Sequence, residues 1–464
     1  MASNGNDGDI KSSFSFSDFP EDVQICILSF LDQSELGTFA STSKRFLSLC
    51  RHDQRLWFSM CDRRWGRSKT LINKWGNGKI SYKLLYKTLL EYENLIGFWR
   101  RCGTSAGTAV QPSSPLVFFE WGPFYITGSR VSPSKTRTYE VIKLPFLWIS
   151  LTSKGESINY LDPEGKLELS ENLVDSGELS VLDNDLIPVN VSFMGKCHVV
   201  LEESVISIGN SLNSSSSPNG RFIKVHSSGN VRGKEYEDVS GSPGSLPDRL
   251  MSEIYQHFAN RTSPGGNGSS RRQRRKEKEK QGRRKLEPEH FVKIVNCSPT
   301  PARPLQGLWK GIGDDMSLEF YLTSYDDIGG IACRRIEDSS RPFNGYNPVF
   351  WTSSTALIEP PFSAEEEYEY HSRVHLRPPA EVDDCHDHLQ RSDHGAVSRM
   401  LHMTSSYDLV IPGTTINPRQ VEGRIWQYRN GTYGFGFLRN NYVIDLKHIA
   451  QDGHLLDTME FSND

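Results

Sequence analysis

Residues 19–31 read FPEDVQICILSFL and carry the signals of a short amphipathic helix. A polar side chain at position 17 or 18 can cap this helix, and Pro20 can begin it, because proline is favoured in the first helical turn. Ile27, Leu28 and Leu31 recur at helical spacing. The pattern therefore predicts a helix with one apolar stripe.

Two further short helices follow this segment. The pattern breaks at residues 32–34, and helical spacing resumes over 35–40 and 43–50. Helices of this length are marginal in water unless they pack on their neighbours. We therefore predict a compact helical module over residues 14–65.

The spacing of this module resembles the F-box, the segment that docks substrate receptors onto the SKP-type adaptor of cullin–RING ubiquitin ligases. The matching pairs are Phe19-Pro20, Ile27-Leu28, Ser43-Lys44 and Leu56-Trp57. The family usually has Leu, Val and Trp where this chain has Phe19, Thr42 and Phe46. Each of these departures keeps bulk or branching.

The resemblance implies that the module binds an SKP-type adaptor, and through it a cullin scaffold, while the remainder of the chain holds an unknown protein substrate. The adaptor-binding residues that it implies are Phe19, Pro20, Ile27, Leu28, Leu31, Leu36, Ser43, Lys44, Phe46 and Trp57. The residues alone leave an alternative open, in which an amphipathic helical hairpin gives this pattern by core packing only.

Composition restricts the class of protein. The chain has 464 residues, enough for a sizeable core and more than one domain. No apolar run is long enough to span a bilayer, and residues 1–10 lack the hydrophobic segment of a signal peptide. Eight scattered cysteines lack metal or redox spacing. We therefore expect free thiols, no metal or cofactor, no membrane partner, and a location in the nucleus, the cytoplasm or both.

The predicted fold class is α+β multidomain, with a small N-terminal helical module followed by a large antiparallel β domain that forms a barrel. The expected parts are a disordered N-terminus (1–13), the F-box module (14–65), a linker helix region (66–94), the first half of the β domain (95–208), a low-complexity basic insert (209–289), and the second half of the β domain (290–464) with a charged loop near 360–398. A helix over 81–94 is expected to fix the F-box against the β domain.

Short β-branched and aromatic runs separated by Gly, Pro and Ser indicate the strands. Residues 147–160 predict a hairpin that turns at 153–155, and the Asn430-Gly431 turn signal predicts a second hairpin over 423–438. Further strands are predicted near 291–295 and 317–322.

Two similar segments open the two halves of the β domain. Gly97-Phe98-Trp99 matches Gly307-Leu308-Trp309, and glycine before a buried indole lets backbones cross closely. We prefer two halves of one sheet, with two separate small barrels or a chance match as alternatives. Residues 307–325 together with 433–437 resemble the β-barrel substrate domain of a branch of F-box-only receptors.

Two other functions are considered. A barrel that binds a small apolar ligand is suggested by the two Gly-x-Trp segments. A serine hydrolase is suggested by Gly103-Thr104-Ser105-Ala106-Gly107, which spells G-x-S-x-G. That motif needs a helix after the serine, whereas Pro112 and Pro115 follow here. A flexible turn explains the motif better.

Two charged stretches have local interpretations. The basic run at 271–285 fits either a nuclear localisation signal or a solvated connector. The net charge of −4 argues against nucleic acid binding by the surface as a whole. Residues 383–388, DDCHDH, contain zinc-ligand types, but a solvated acidic loop is the better explanation, because a zinc site needs ligands held by rigid elements.

Overall fold

The computed structural model of the protein describes most of the chain, with several gaps. The described residues are 15–66, 70–102, 114–135, 138–163, 186–204, 286–336, 346–352, 355–378, 396–405 and 421–459. The described chain begins as helices and continues as two large sheets.

The N-terminal part is helical, as the sequence predicts. Its α-helices are α1 (Glu21–Leu28), α2 (Gln33–Thr42), α3 (Lys44–Cys50), α4 (Phe58–Trp65) and α5 (Tyr82–Glu93). Short turns of 3-10 helix lie at Phe16–Asp18 and Ile72–Gly78, and a π-helical turn lies at Asp53–Trp57. The helix predicted over 81–94 is α5.

Side-chain caps define where these helices begin. Asp32 and Glu35 cap α2 reciprocally, at 2.7 and 2.8 Å, and Ser43 Oγ accepts from the backbone N–H of Phe46 at 3.1 Å. The backbone bond from Glu35 lowers the pKa of the Asp32 carboxyl below its usual range. The polar residues that interrupt the apolar pattern are therefore the start signals of α2 and α3.

The first sheet is a closed barrel of eight antiparallel strands. Their order around the barrel is β4-β3-β2-β1-β8-β7-β6-β5, and β5 pairs again with β4. The strands are β1 (Gly97–Cys102), β2 (Leu116–Trp121), β3 (Ile126–Pro133), β4 (Val141–Leu151), β5 (Ser157–Leu161), β6 (Ile187–Phe193), β7 (His198–Glu203) and β8 (Glu289–Lys293). Closure removes the free edges that an open sheet would expose.

The second sheet is built from the chain after residue 306 and has the order β12-β11-β10-β9-β18-β17-β16-β15-β13, with β14 beside β18. Its strands are β9 (Gly307–Ile312), β10 (Leu318–Tyr325), β11 (Ile331–Ile336), β12 (Tyr346–Thr352), β13 (Thr355–Ile358), β14 (Val374–Leu376), β15 (Val397–Ser405), β16 (Val421–Tyr428), β17 (Tyr433–Phe437) and β18 (Tyr442–His448). Its two end strands, β12 and β13, are separated by only two residues. The sheet forms a half-barrel with β12 and β13 as its two end strands.

The remaining elements are short. Helix α6 (Ala364–His371) precedes β14, while β19 (Ala450–Gln451), β20 (His454–Leu455) and β21 (Thr458–Met459) end the described chain. β19 pairs with β20, and β21 pairs with β4 of the first sheet.

Large side chains fill the second sheet. Trp309, Tyr321, Tyr433 and Phe435 are at most 2% exposed and lie in one buried cluster. A second cluster contains Phe98 and Phe118 from the first sheet, with Leu308, Phe320 and other apolar side chains from the second. Burial of these apolar side chains makes a large contribution to the stability of the β region.

The helical part of the chain packs directly on the end of strand β2 and on the turn between β2 and β3. The ring centroids of Trp65 and Trp75 lie 6.1 and 6.5 Å from that of Trp121, and the backbone N–H of Leu71 donates to the carbonyl of Pro123 at 2.7 Å. Trp65 and Trp75 are almost completely buried. Because aromatic packing of this kind is specific in geometry, it fixes the orientation of the helices on this strand end and turn.

The prediction that both halves of the β region form one continuous sheet is wrong, because the structure has two large sheets. The strand after the long insert, β8, pairs with β1 and β7 and completes the first barrel, whereas strands β9 to β18 pair among themselves. The Gly-x-Trp match itself has the expected geometry. Gly97 and Gly307 have φ of 115° and 145°, and both indoles are fully buried.

Other predictions have mixed outcomes. The hairpins over 147–160 and 423–438 are confirmed as β4–β5 and β16–β17. The loop predicted near 360–398 is partly wrong, because it contains α6 and β14. Residues 1–13, 103–107, 383–388 and almost all of 209–289 lie outside the described residues.

Candidate functional site

Three residues assigned to adaptor binding lie inside the helical module. The exposed fractions of Leu28, Leu36 and Trp57 are 1%, 2% and 3%. The indole N–H of Trp57 donates to the carbonyl of Cys50 at 2.9 Å, which joins the segment after α3 to the end of α3. The assignment of these three side chains to a contact surface is therefore corrected: they hold the module together, and they offer a partner almost no area.

A row of apolar side chains does face solvent. Phe19, Val23, Ile27 and Phe30 are 42%, 40%, 42% and 70% exposed. Val23 and Ile27, four residues apart, share one face of α1, while Phe19 precedes the helix on extended backbone and Phe30 lies in the turn after it. We name these four residues the α1 stripe. Isolated exposed apolar residues are ordinary, but a contiguous row on a small domain is typical of a protein-binding surface.

The F-box resemblance predicts only Phe19 and Ile27 of this stripe. The apolar pattern groups Ile27 with Leu28 and Leu31, although neighbouring helical positions point about 100° apart. Leu28 turns into the core and Leu31 is half-buried, while Ile27 faces out. Val23 and Phe30 were missed. The i, i+4 spacing from Phe19 through Val23 to Ile27 is the signal that could have found them.

Buried polar contacts hold the two ends of the α1 stripe. Gln24 is fully buried and donates through Nε2 to the carbonyls of Phe16 and Phe19, at 2.9 and 2.8 Å. This fixes the turn that presents Phe19. At the other end, the Arg63 guanidinium lies 4.4 Å from the ring centroid of Phe30 and donates to Ser29 Oγ at 3.1 Å. The stripe is therefore held in place before any partner binds.

An aromatic group extends the apolar surface beside α1. The ring of Phe46 lies 4.4 Å from that of Phe39, stacked, and 5.6 Å from that of Phe16. All three are only partly buried. Phe46 stands where the F-box pattern usually has Trp, and its ring still takes part in an aromatic contact. The substitution therefore keeps the kind of side chain that this position uses.

The other predicted residues lie near the N-termini of α1 and α3. Pro20 is exposed at the N-cap of α1, and Ser43 and Lys44 are exposed at the start of α3. Ser43 also caps its helix, so its side chain has a structural role whatever else it does. The structure places all three on the surface of the module.

Charged residues flank the start of α1. Arg55 pairs with Asp22 at 2.9 Å and lies 3.8 Å from Glu21, with every partner more than half exposed. Exposed pairs of this kind contribute little to stability. They can still affect the association rate and the orientation of a partner.

The described residues give no support to a catalytic or metal site. Within the described ranges no group of three His, Cys, Asp or Glu side chains could hold a metal ion. The Ser105 motif and the acidic 383–388 segment lie in the gaps between those ranges. No helix in the part of the chain that the structure describes is both long and apolar enough to cross a membrane.

Comparison with known proteins supports the interpretation of the helical module. The F-box-like family model matches residues 16–63, a range that runs from the turn before α1 almost to the end of α4. The chain is also 48% identical over 452 residues to F-box protein At3g12350 of Arabidopsis thaliana. That match covers 96% of this chain and 98% of the relative. The likeness therefore includes the β region as well as the helices, and the chain belongs to the F-box protein family.

Proposed function

We propose that this protein is the substrate-recognition subunit of an SCF-type ubiquitin ligase. Its F-box binds an SKP-type adaptor, and through it a cullin scaffold, with the α1 stripe as the centre of the contact. The observation that carries the proposal is the exposure of Phe19, Val23, Ile27 and Phe30 on a fixed backbone. A few apolar side chains at the centre of an interface commonly supply most of its affinity.

The β region is proposed to hold a target protein. In such an assembly the chain has no catalytic residue of its own. Its contribution is to keep a lysine of the target close to a ubiquitin thioester carried by another subunit, which raises the effective concentration of the reactants. The contact among Trp65, Trp75 and Trp121 fixes the helices on the end of strand β2.

The rival functions receive no comparable support. A small-ligand barrel would use the two Gly-x-Trp segments, but both indoles are fully buried in packed side chains. The hydrolase alternative depends on Ser105, which lies outside the described residues. We therefore retain the non-catalytic receptor and propose that it acts in the nucleus, the cytoplasm or both.

The test compares the proteins that co-purify with three forms of the tagged full-length chain from cells. The forms are wild type, the double variant Ile27→Ala/Phe30→Ala, and Ile328→Ala as a control for losing an exposed apolar side chain elsewhere, since Ile328 is 78% exposed. Wild type and control should recover the adaptor and the cullin, and the double variant should lose both. Equal recovery with all three forms would contradict the proposal.

A second measurement on the same samples addresses the target. Candidate targets are proteins that bind wild type and the double variant equally, because these two forms share the same β region, but that carry ubiquitin only with wild type. If every protein that binds the β region lacks ubiquitin in all samples, the receptor role is wrong even where the adaptor is recovered.

A further inference from the structure

The end of the described chain lies across the start of β4. We call residues 449–459 the C-terminal strap. β21 pairs in parallel with β4, with Thr458 opposite Val141 and Met459 opposite Ile142, and the backbone N–H of Val141 donates to the carbonyl of Asp457 at 2.8 Å. On that side of β4, β5 pairs only with residues 147–151. The strap therefore covers a piece of strand edge that β5 leaves open.

A buried cation holds the strap in place. The side chain of Lys310 is fully buried, and its Nζ donates to the carbonyl of Leu456 at 2.9 Å and to Asp457 Oδ2 at 2.8 Å. Burial lowers the pKa of Lys310, and the ion pair with Asp457 opposes this effect. Because a buried ammonium group is costly without a carboxylate partner, this position favours an acidic residue on whatever covers it.

Other charges near Lys310 are weaker influences. Glu140, just before β4, favours the protonated ammonium, and Lys447 on the neighbouring β18 disfavours it. Lys447 itself lies over the ring of Tyr139, with its Nζ 4.4 Å from the ring centroid. Asp457 is thus the acidic group that bonds directly to Lys310.

The strap is anchored at its start, where Ile449 is 1% exposed in the second cluster and Leu455 packs against that cluster, but it buries little of its surface from Leu456 onward. The side chain of Asp457 is 50% exposed and Met459 is 36% exposed. Leu455 and Leu456 are half-buried, while residues 451–454 are exposed. Segments with few buried apolar contacts open at much lower free energy than the whole domain unfolds. Within residues 456–459, the ion pair and a short ladder therefore provide most of what holds the strap.

We propose that the edge of β4 at Val141 and Ile142, together with Lys310, is a binding site for an extended peptide that carries an aspartate, and that the C-terminal strap fills this site as a displaceable internal ligand. A bound peptide would add a strand to β4 and place its carboxylate on Lys310, as Asp457 does. Strand addition of this kind draws affinity from backbone bonds and specificity from side chains. The identification of the peptide as part of a target protein rests on the proposed receptor function.

The test uses the full-length chain and a labelled peptide with the sequence of residues 453–459, GHLLDTM, followed by fluorescence anisotropy. Asp457→Asn weakens the internal competitor, so the peptide should bind this variant at least tenfold more tightly than wild type. A peptide with Asn in place of Asp should lose at least tenfold in affinity for the same variant, and adding Lys310→Gln should abolish the gain.

Asp452→Asn is the matched control. Asp452 is exposed and has a left-handed backbone, with φ of 51° against 53° for Asp457, but it lies in the turn between β19 and β20. This variant should bind the peptide as wild type does. Hydrogen exchange gives a second readout: the amides of residues 456–459 should exchange at least tenfold faster in Asp457→Asn and at the wild-type rate in Asp452→Asn.

Equal peptide affinities for wild type and both single variants would overturn the proposal, as would unchanged exchange in Asp457→Asn. Adaptor affinity measured on the same samples separates this inference from the receptor function. Loss of peptide binding with the adaptor still bound counts only against the site at Lys310. Failure to bind the adaptor, with the peptide results as expected, counts only against the receptor role.

Discussion

The double variant Ile27→Ala/Phe30→Ala tests the α1 stripe quantitatively. Full burial of an Ile or Phe side chain contributes about 1.5–3 kcal/mol. With 42% of Ile27 and 70% of Phe30 still exposed, a partner that covers both can gain roughly that amount from the pair together. Alanine keeps a methyl group, so the variant should bind the adaptor about 10- to 100-fold more weakly.

Isothermal titration of purified adaptor into the full-length chain measures this loss. The unfolding free energy should fall by less than about 1 kcal/mol, since the main contact removed within the chain is the Arg63–Phe30 stack. Leu28→Ala should behave in the opposite way: it should cost about 2–5 kcal/mol of stability as a core truncation, while the folded fraction keeps its adaptor affinity. If Leu28→Ala weakens binding of the folded protein and the double variant does not, the division between core and surface is wrong.

Three further predictions concern the β region. Burial and the neighbouring His290 ring lower the pKa of His198 to about 4, against an ordinary value of 6.5, so the unfolded state binds more protons between these values. The contribution of His198 to the unfolding free energy should be fully present above pH 6.5 and should fall by about 2 kcal/mol between pH 7 and 5. In urea titrations, His198→Gln should make the unfolding free energy less dependent on pH over this range. A Cβ at Gly434 would meet the Tyr428 hydroxyl at 2.5 Å, so Gly434→Ala should cost about 1–3 kcal/mol, whereas Gly37→Ala, with open space in helix α2, should add about 0.5–1 kcal/mol in thermal unfolding. Because β7 and β8 pair directly as a hairpin, residues 205–285 should be replaceable by a four-residue turn. The shortened protein should still unfold cooperatively, and its affinity for the adaptor should stay within about twofold of wild type. Loss of a cooperative unfolding transition would show that the insert is needed.

Local signals predicted the helical module and the hairpins well. The cap at Ser43, the Ser81 start of α5 and the Asn430-Gly431 turn all lie where the sequence places them, because each depends on residues within a few positions of one another. Helix α6 was missed although Ser363 and Glu366 form a cap signal three residues apart. Its acidic composition pointed to a solvated loop, whereas Glu366 pairs with the buried Arg424 at 2.8 Å.

The sheet arrangement could not be predicted in the same way. Pairing of β8 with β1 joins Arg100 to Val292 across nearly two hundred residues, and no local pattern records that choice. The parallel contact between β21 and β4 involves two residues on each side. The orientation of the first helix could not be predicted for the same reason. The sequence indicates an amphipathic helix at residues 19–31, but only tertiary packing decides that Leu28 faces the core and Ile27 faces solvent.

The most direct test of the receptor role is the mass of the complex that forms when the purified full-length chain meets a preformed adaptor–cullin complex. Size-exclusion chromatography with light scattering should give a single species with one copy of each protein. The Ile27→Ala/Phe30→Ala variant should shift only at concentrations at least tenfold higher. Elution of the folded wild-type chain at its own mass, apart from the adaptor and cullin, would contradict the proposal that this F-box protein is a ubiquitin ligase subunit.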